Sequence, residues 1–322
     1  MNTETRNIIH TYISLLLRWF NILLGRSYYH VSQPIGRFIS KDEIAGYYND
    51  FTKKADWKGI SDNEGIPLNI LSNGIKVYFP ITIAQMALGN YDLWLESKES
   101  ENKRKFLTLA NWLKENQDSK GGWENPWEYL RPSSISNYSA MAQGEGISTL
   151  VRAYALTKDI SFLNQAEKAY NLMMAPIEKG GCTFFIDEDI YLEEYPEIPR
   201  STVLNGWIYA LFGVYDFKIA SKDRDVKSVY EKSLETVEKS LKFFDSGYWT
   251  YYDLQNNLAS HYYHAVHISL LDALYILSDT KTFDHFSNKW KNYERNFFNK
   301  SKALTAKALQ RLKNPMNITI TK

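Results

Sequence analysis

At 322 residues, with 44% hydrophobic and 23% charged residues, the chain has the composition of an ordinary globular protein that buries one large core or two modest ones. A formal charge of +1 supplies no global field for a polyanion and argues against nucleic acid, and the lone Cys182 excludes an intramolecular disulfide and a cysteine-based metal centre. The one departure is aromatic: 23 Tyr and 9 Trp lift aromatics to 15%, and such rings suit sugar-binding grooves and helix packing alike.

Residues 7–25, "NIIHTYISLLLRWFNILLG", place polar residues at 7, 10, 11, 14, 18, 21 and 25, a thin stripe that predicts an apolar helix over residues 1–25. Arg18 interrupts the run and no A-x-A cleavage site follows. The order of readings is a packing helix, then an interfacial helix giving peripheral membrane contact, then a spanning anchor. Without a clear cleavable signal, localisation stays open, with a cytoplasmic or membrane-associated placement favoured.

Residues 26–75 carry Gly, Pro and Asn at short intervals ("QPIGRF", "NEGIPLN", "SNGI"), which predicts short strands and loops. From Pro80 onward apolar residues recur at helical spacing in about eight segments, from "ITIAQMALGNYDLWL" to "FDHFSNKWKNYERNFF". Nearly apolar segments alternate with Lys/Glu-rich amphipathic ones, as an inner and an outer row of paired helices require. The expected fold is mainly α: an (α/α) toroid or incomplete barrel over residues 76–300, behind the N-terminal helix and a small β-containing segment. Residues 301–322 are expected to form a basic tail, since residues 287–322 hold nine Lys or Arg against the single Glu294. A solvated basic helix with a frayed end is the plain reading, and contact with an acidic glycan or anionic membrane is the alternative.

Four segments concentrate polar and aromatic groups beside helix starts: "YFPITIAQ" (78–85), "YSAMAQGEGISTLVRAY" (138–154), "YLEEYPEIPRSTVLNG" (191–206) and "GYWTYYDLQNNLASHYYHAVHI" (247–268). Each begins in a loop and runs into an apolar helix, so their polar residues are expected at one mouth of the toroid. Taken singly, most of these tyrosines pack, and Glu193 with Glu194 is a solvated pair. His264 and His267 can share a helix face as ligands, but no third ligand is evident, so groove hydrogen bonding or core positions are favoured and no metal is expected. Gly144 and Gly146 open a helix whose free N–H groups suit a carboxylate or sulfate. In "GGWENPWEY" (121–129), Trp123 and Trp127 are sugar platforms or, more commonly, packing residues.

These segments resemble the C-terminal catalytic domain of the glucuronyl C5-epimerases. The likeness is carried by "FPITIAQ", "MAQGEGISTLVRAYALTKD", "EEYPEIPRSTVLNGWIYALFGVYDF", and "YDL" followed by "YHAVHI", in order over roughly residues 75–295. The resemblance implies interconversion of D-glucuronate and L-iduronate units, an acidic uronate-containing polysaccharide of heparosan type as partner, a homodimer and no cofactor. Two departures stand out: the chain has no room for the large β-rich domains of the animal enzymes, and Gln255 replaces the Arg that follows "YDL" in them, so a cationic contact is missing.

Inverting C5 of a uronate needs a base on one face, an acid on the other, and donors or cations that hold the carboxylate as charge develops. The resemblance assigns these tasks to Glu194, Tyr195, Tyr252 and Tyr263. Glu194, or a tyrosine paired with it, serves one face and Tyr263 the other, while Tyr195 and Tyr252 orient the ring. Gln143, Arg152, Asn205, His264, His267 and Trp123 are expected to bind substrate. Glu193, next in an extended stretch, is expected to point away from Glu194. The competing readings are a polysaccharide lyase, which removes the same proton, and a non-catalytic protein that binds acidic glycans.

Overall fold

The computed structural model describes residues 31–313 and 320–321, so the helix expected over residues 1–25, and the membrane contact assigned to it, lie outside the described residues. After an N-terminal segment with little regular structure come three short strands, β1 (Ile60–Ser61), β2 (Pro67–Leu71) and β3 (Lys76–Val77), paired antiparallel in that order. Helices α1 (Pro80–Ser97), α2 (Ser100–Glu115), α3 (Ala140–Thr157) and α4 (Ile160–Met174) precede a hairpin of β4 (Thr183–Ile186) and β5 (Asp189–Leu192). Then follow α5 (Leu204–Ser221), α6 (Arg224–Ser240), α7 (His261–Ser278), α8 (Lys281–Arg295) and α9 (Phe297–Lys313), and β6 (Ile320–Thr321) returns to pair with β2.

Helices α1 to α8 form four hairpins that share one connection. The first helix of each ends on a residue in the left-handed region, Lys98 (φ 59°), Lys158 (φ 64°), Lys222 (φ 56°) or Asp279 (φ 59°), and an extended N-cap residue then starts the second. A left-handed non-glycine residue costs about 1 kcal/mol, offset here by the closure of each helix end. Asp159 and Asp223 strengthen two of the restarts by accepting from the amides of Ser161 (2.9 Å) and Asp225 (2.7 Å).

The odd-numbered helices line up side by side, α1 on α3, α3 on α5 and α5 on α7, and each even-numbered helix packs outside its own partner. This is an incomplete (α/α) toroid. The alternation of apolar and amphipathic segments encodes it, because an inner helix is buried nearly all round and an outer helix on one stripe. Helices α3 and α5 approach so closely that a Cβ on Gly213 would stand 2.4 Å from the Cα of Gly144, and one on Gly144 would stand 2.5 Å from the Cα of Ala210. Gly144 therefore serves helix packing, and so does Gly146, whose Cβ would meet the Trp123 ring at 2.3 Å. The expectation that these two glycines open an anion site is corrected.

Two terminal segments are integral to this body. Residues 45–55 lie against the inner helices, with Tyr47, Tyr48 and Phe51 wholly buried, and the Tyr47 amide donates to Asp92 Oδ1 at 3.0 Å. Helix α9 runs straight across the expected boundary at residue 301, so the basic stretch up to Lys313 is a docked helix and no frayed tail begins there. Its Ala303 is buried with Trp249 and Leu258, and Gln310 accepts from the Leu258 amide at 3.3 Å and donates to Asn257 Oδ1 at 3.1 Å. That contact braces the loop that carries Tyr252.

Candidate active site

The N-terminal ends of α1, α3, α5 and α7 are where the four motif segments run into helix. The loop after β5 is the central piece, and backbone and carboxylate bonds stitch it to its neighbours. The Glu193 amide donates to Cys182 O, Ala140 donates to Glu193 O, and Ile135 donates to Pro196 O, all at 2.8 Å. The Glu193 carboxylate accepts from the Thr202 amide at 2.9 Å and from the Thr202 hydroxyl, so it closes the loop on itself. Alternation along this stretch turns Glu194 the other way, against the first turn of α5. Gly206 makes room for it there, since a Cβ at that position would fall 2.4 Å from Glu194 Oε2.

The structure brings Glu194, Tyr195, Tyr252 and Tyr263 together. The Tyr195 phenol lies in the field of the Glu194 carboxyl, and the Tyr252 phenol in that of both. The Tyr252 ring packs 4.9 Å from that of Tyr263, which meets Tyr262 edge-on at 5.0 Å. Trp127 stands edge-on to Tyr195 at 5.0 Å, and the guanidinium of Arg131 covers the Tyr195 ring at 4.0 Å. Among the described residues no carboxylate forms a salt bridge with Arg131.

Electrostatics follow from this enclosure. Burial pushes the Glu194 carboxyl up to about 7, while the Tyr195 phenol and the Arg131 charge restrain the rise. The phenols of Tyr195 and Tyr252 are held well above 10, by burial first and then by the Glu194 charge, so both are neutral donors. Burial opposes the charge of Arg131, but its acidic surroundings, which include Glu197 and Glu194, outweigh that and keep it cationic. Glu194 Oε2, Asn205 Oδ1, Ser201 Oγ and Trp127 Nε1 are buried with no hydrogen-bond partner among the described residues. Such capacity suits a ligand rich in hydroxyl and carboxylate groups.

Of the six expected substrate contacts, Asn205 through Oδ1 and His267 through Nε2 keep this character. Arg152 is fully buried; it donates to Asp216 Oδ2 at 2.6 Å, to the carbonyls of Ala45 and Gly46 at 3.0 Å each, and to Ser148 O at 3.0 Å. With its donors committed to clamping the N-terminal segment, it is a core residue. Trp123 is also a core residue: its indole donates to Leu113 O at 2.8 Å, and Gln143 spends its amide on the Trp123 backbone. His264 stacks on Trp249 at 3.6 Å between Thr250 Oγ1 and Trp290 O, and His267 meets the same Thr250 hydroxyl at 3.2 Å. Burial holds both imidazoles down to about 3, so both are neutral, and through Thr250 they brace the Tyr252 loop. For Arg152, Trp123, Gln143 and His264, whose polar atoms are spent inside the core, the expected role in substrate binding is therefore corrected. Among the described residues no group of three or more His, Cys, Asp or Glu is placed to hold a metal ion.

Two groups of residues escaped the sequence. Arg131 lies in "YLRPSSIS", where the only cue was a lone cation in a loop between two motif segments. Glu145 lies inside "MAQGEG", whose glycines drew attention away from its charge. Glu145 has no solvent exposure, accepts from Gln85 Nε2 at 2.8 Å, and is pushed up to about 8 by burial. The Lys54 ammonium donates to the other end of the same Gln85 amide.

A family model described as the D-glucuronyl C5-epimerase C-terminus matches residues 117–292. The chain is 31% identical over 227 residues to the D-glucuronyl C5-epimerase of Caenorhabditis elegans, covering 62% of this chain and 36% of that protein. It is 28% identical over 174 residues to an uncharacterized protein of Methanocaldococcus jannaschii, covering 51% of this chain and 56% of that one. The chain thus spans about a third and somewhat over half of the lengths of these curated relatives. Among solved structures, the cellobiose 2-epimerase from Spirochaeta thermophila aligns with a TM-score of 0.46 at 12% identity, over 65% of this chain and 57% of that one.

Proposed function

The chain belongs to the family of the D-glucuronyl C5-epimerase C-terminus, and on that premise we propose that it is a polysaccharide uronate C5-epimerase interconverting D-glucuronate and L-iduronate units. The observation that carries the proposal is the buried cluster of Glu194, Tyr195, Tyr252 and Tyr263, with the Arg131 cation over the Tyr195 ring and the Tyr263 ring packed on that of Tyr252. It holds what C5 inversion requires: a carboxyl that titrates near neutrality, phenols that hold their protons, and a cation for the substrate carboxylate.

In one direction of the reaction, Glu194 as carboxylate takes the C5 proton. The C5–H bond breaks, an O–H bond forms on Glu194, and the electron pair spreads into the sugar carboxylate as an enediolate. Arg131 and the neutral Tyr195 and Tyr252 hydroxyls are the groups suited to stabilise that charge. Tyr263 then gives its hydroxyl proton to the opposite face of C5, and Glu194 and Tyr263 are reset by exchange with solvent. The reverse direction uses the same groups with their roles exchanged. The positive ends of four inner helices at this mouth favour an acidic polysaccharide over a neutral one.

The test is incubation with heparosan in deuterated water, followed by NMR for deuterium at C5 and for iduronate. Deuterium incorporation with inversion is the expected result. A rise in ultraviolet absorbance from an unsaturated uronate would make the protein a lyase instead, and binding without exchange would make it a glycan-binding protein.

A further inference from the structure

A buried amide at the same mouth links a half-buried lysine to a buried carboxyl. Gln85 lies in the second turn of α1 and is 5% exposed. An ammonium can only donate, so the contact of Lys54 with Gln85 Oε1 fixes which end of the amide faces α3. Gln85 Nε2 accordingly donates to Glu145 Oε1, and Glu145 Oε2 stays buried without a partner among the described residues. The Glu194 charge acts directly on Glu145, as does that of Lys54, so the three belong to one electrostatic neighbourhood.

The backbone under Lys54 is fixed as well. It closes a helical turn whose first residue, Thr52, donates its amide (2.9 Å) and hydroxyl (2.6 Å) to Asp50 Oδ1. Upstream, Arg152 clamps the carbonyls of Ala45 and Gly46 onto the inner helices. A surface lysine keeps its hydration and rotamer freedom, whereas here both chain and ammonium are held in one place.

We propose that Lys54, oriented by Gln85 and Glu145, is a specificity-determining cation of this groove, and that it donates to a carboxylate of the uronate polysaccharide. The proposal rests on the uronate reading of the site above. It gives the N-terminal segment, which precedes the family-matched residues 117–292, a role in recognition. It also supplies a cation to a site where residue 255 is glutamine. Glu145 and Gln85 are positioning residues that act through Lys54.

The test is a binding titration of full-length wild type, Lys54→Met and Lys54→Arg with heparosan and with carboxyl-reduced heparosan, alongside deuterium exchange at C5. Lys54→Met is expected to weaken heparosan binding by about 10-fold or more, with the loss falling on KM more than on kcat. Lys54→Arg is expected to recover most of it, and carboxyl-reduced heparosan is expected not to distinguish the three proteins. Equal heparosan affinity for wild type and Lys54→Met, in protein that exchanges C5 hydrogen, would overturn the role of Lys54 alone. Heparosan binding by wild type without exchange would overturn the epimerase reading while the affinity comparison still decides on Lys54. Absence of heparosan binding by wild type would overturn both.

Discussion

The guanidinium of Arg131 lies 4.0 Å from the centre of the ring of Tyr195, and its charge acts on the neighbouring Glu194 carboxyl. One cation thus lies over the phenol and carboxyl cluster at the point where charge is expected to develop. Arg131→Gln is expected to lower kcat/KM for C5 exchange by ~10²-fold or more, the usual scale for losing a preorganised charge. Arg131→Lys should recover only part of this, since an ammonium lacks the planar face that stacks on the ring. Full recovery by lysine would show that charge alone matters here.

Tyr263→Phe keeps the ring that packs on Tyr252 and removes only the hydroxyl. Epimerisation is expected to fall by at least ~10²-fold with the melting temperature preserved, and Glu194→Gln should do the same. A variant deprived of one face is further expected to exchange C5 hydrogen from one epimer without inverting it. Near-normal inversion by both variants would remove both residues from the mechanism.

The Glu194 carboxyl, raised to about 7 by burial, acts as a base only when ionised. Exchange driven by Glu194 should therefore rise as pH climbs through about 7 and fall on the acid side. The pH profile of kcat/KM checks this. A flat profile from pH 5 to 8 in protein of constant fold would exclude Glu194 as the group that limits the rate.

Glu145 makes a prediction about stability. Its folded-state value of about 8 stands above the ordinary 4.5, through burial and against the pull of Gln85 and Lys54. Between these values the folded chain retains a proton that the unfolded chain has released. The stability tied to the protonated carboxyl is fully present below 4.5 and is lost as pH rises through about 8. Glu145→Gln removes this dependence, so melting scans should show the variant gaining on wild type as pH is raised from 5 to 8. A constant difference across that range would mean that Glu145 does not titrate there.

The sequence by itself determined the paired-helix architecture, because whether a helix is buried all round or on one stripe is written in local periodicity, and the hairpins follow from that alternation. It also pointed, through motif resemblance, to Glu194, Tyr195, Tyr252 and Tyr263, which the fold draws together from the loop after β5, the loop before α7 and the first turn of α7. What only the tertiary structure decided is which polar residues of those same motifs face the groove. Helices α3 and α5 are buried on every side, so periodicity there carries no face information, and Arg152, Gln143 and Asn205 look alike in sequence. Packing separates them: Arg152 clamps the N-terminal segment, Gln143 holds the Trp123 backbone, and Asn205 is left with a free acceptor. Lys54 and Arg131 were illegible for a related reason. Their partners, Gln85 and Tyr195, lie tens of residues away, and no local pattern encodes a contact that forms only when distant segments close on one mouth.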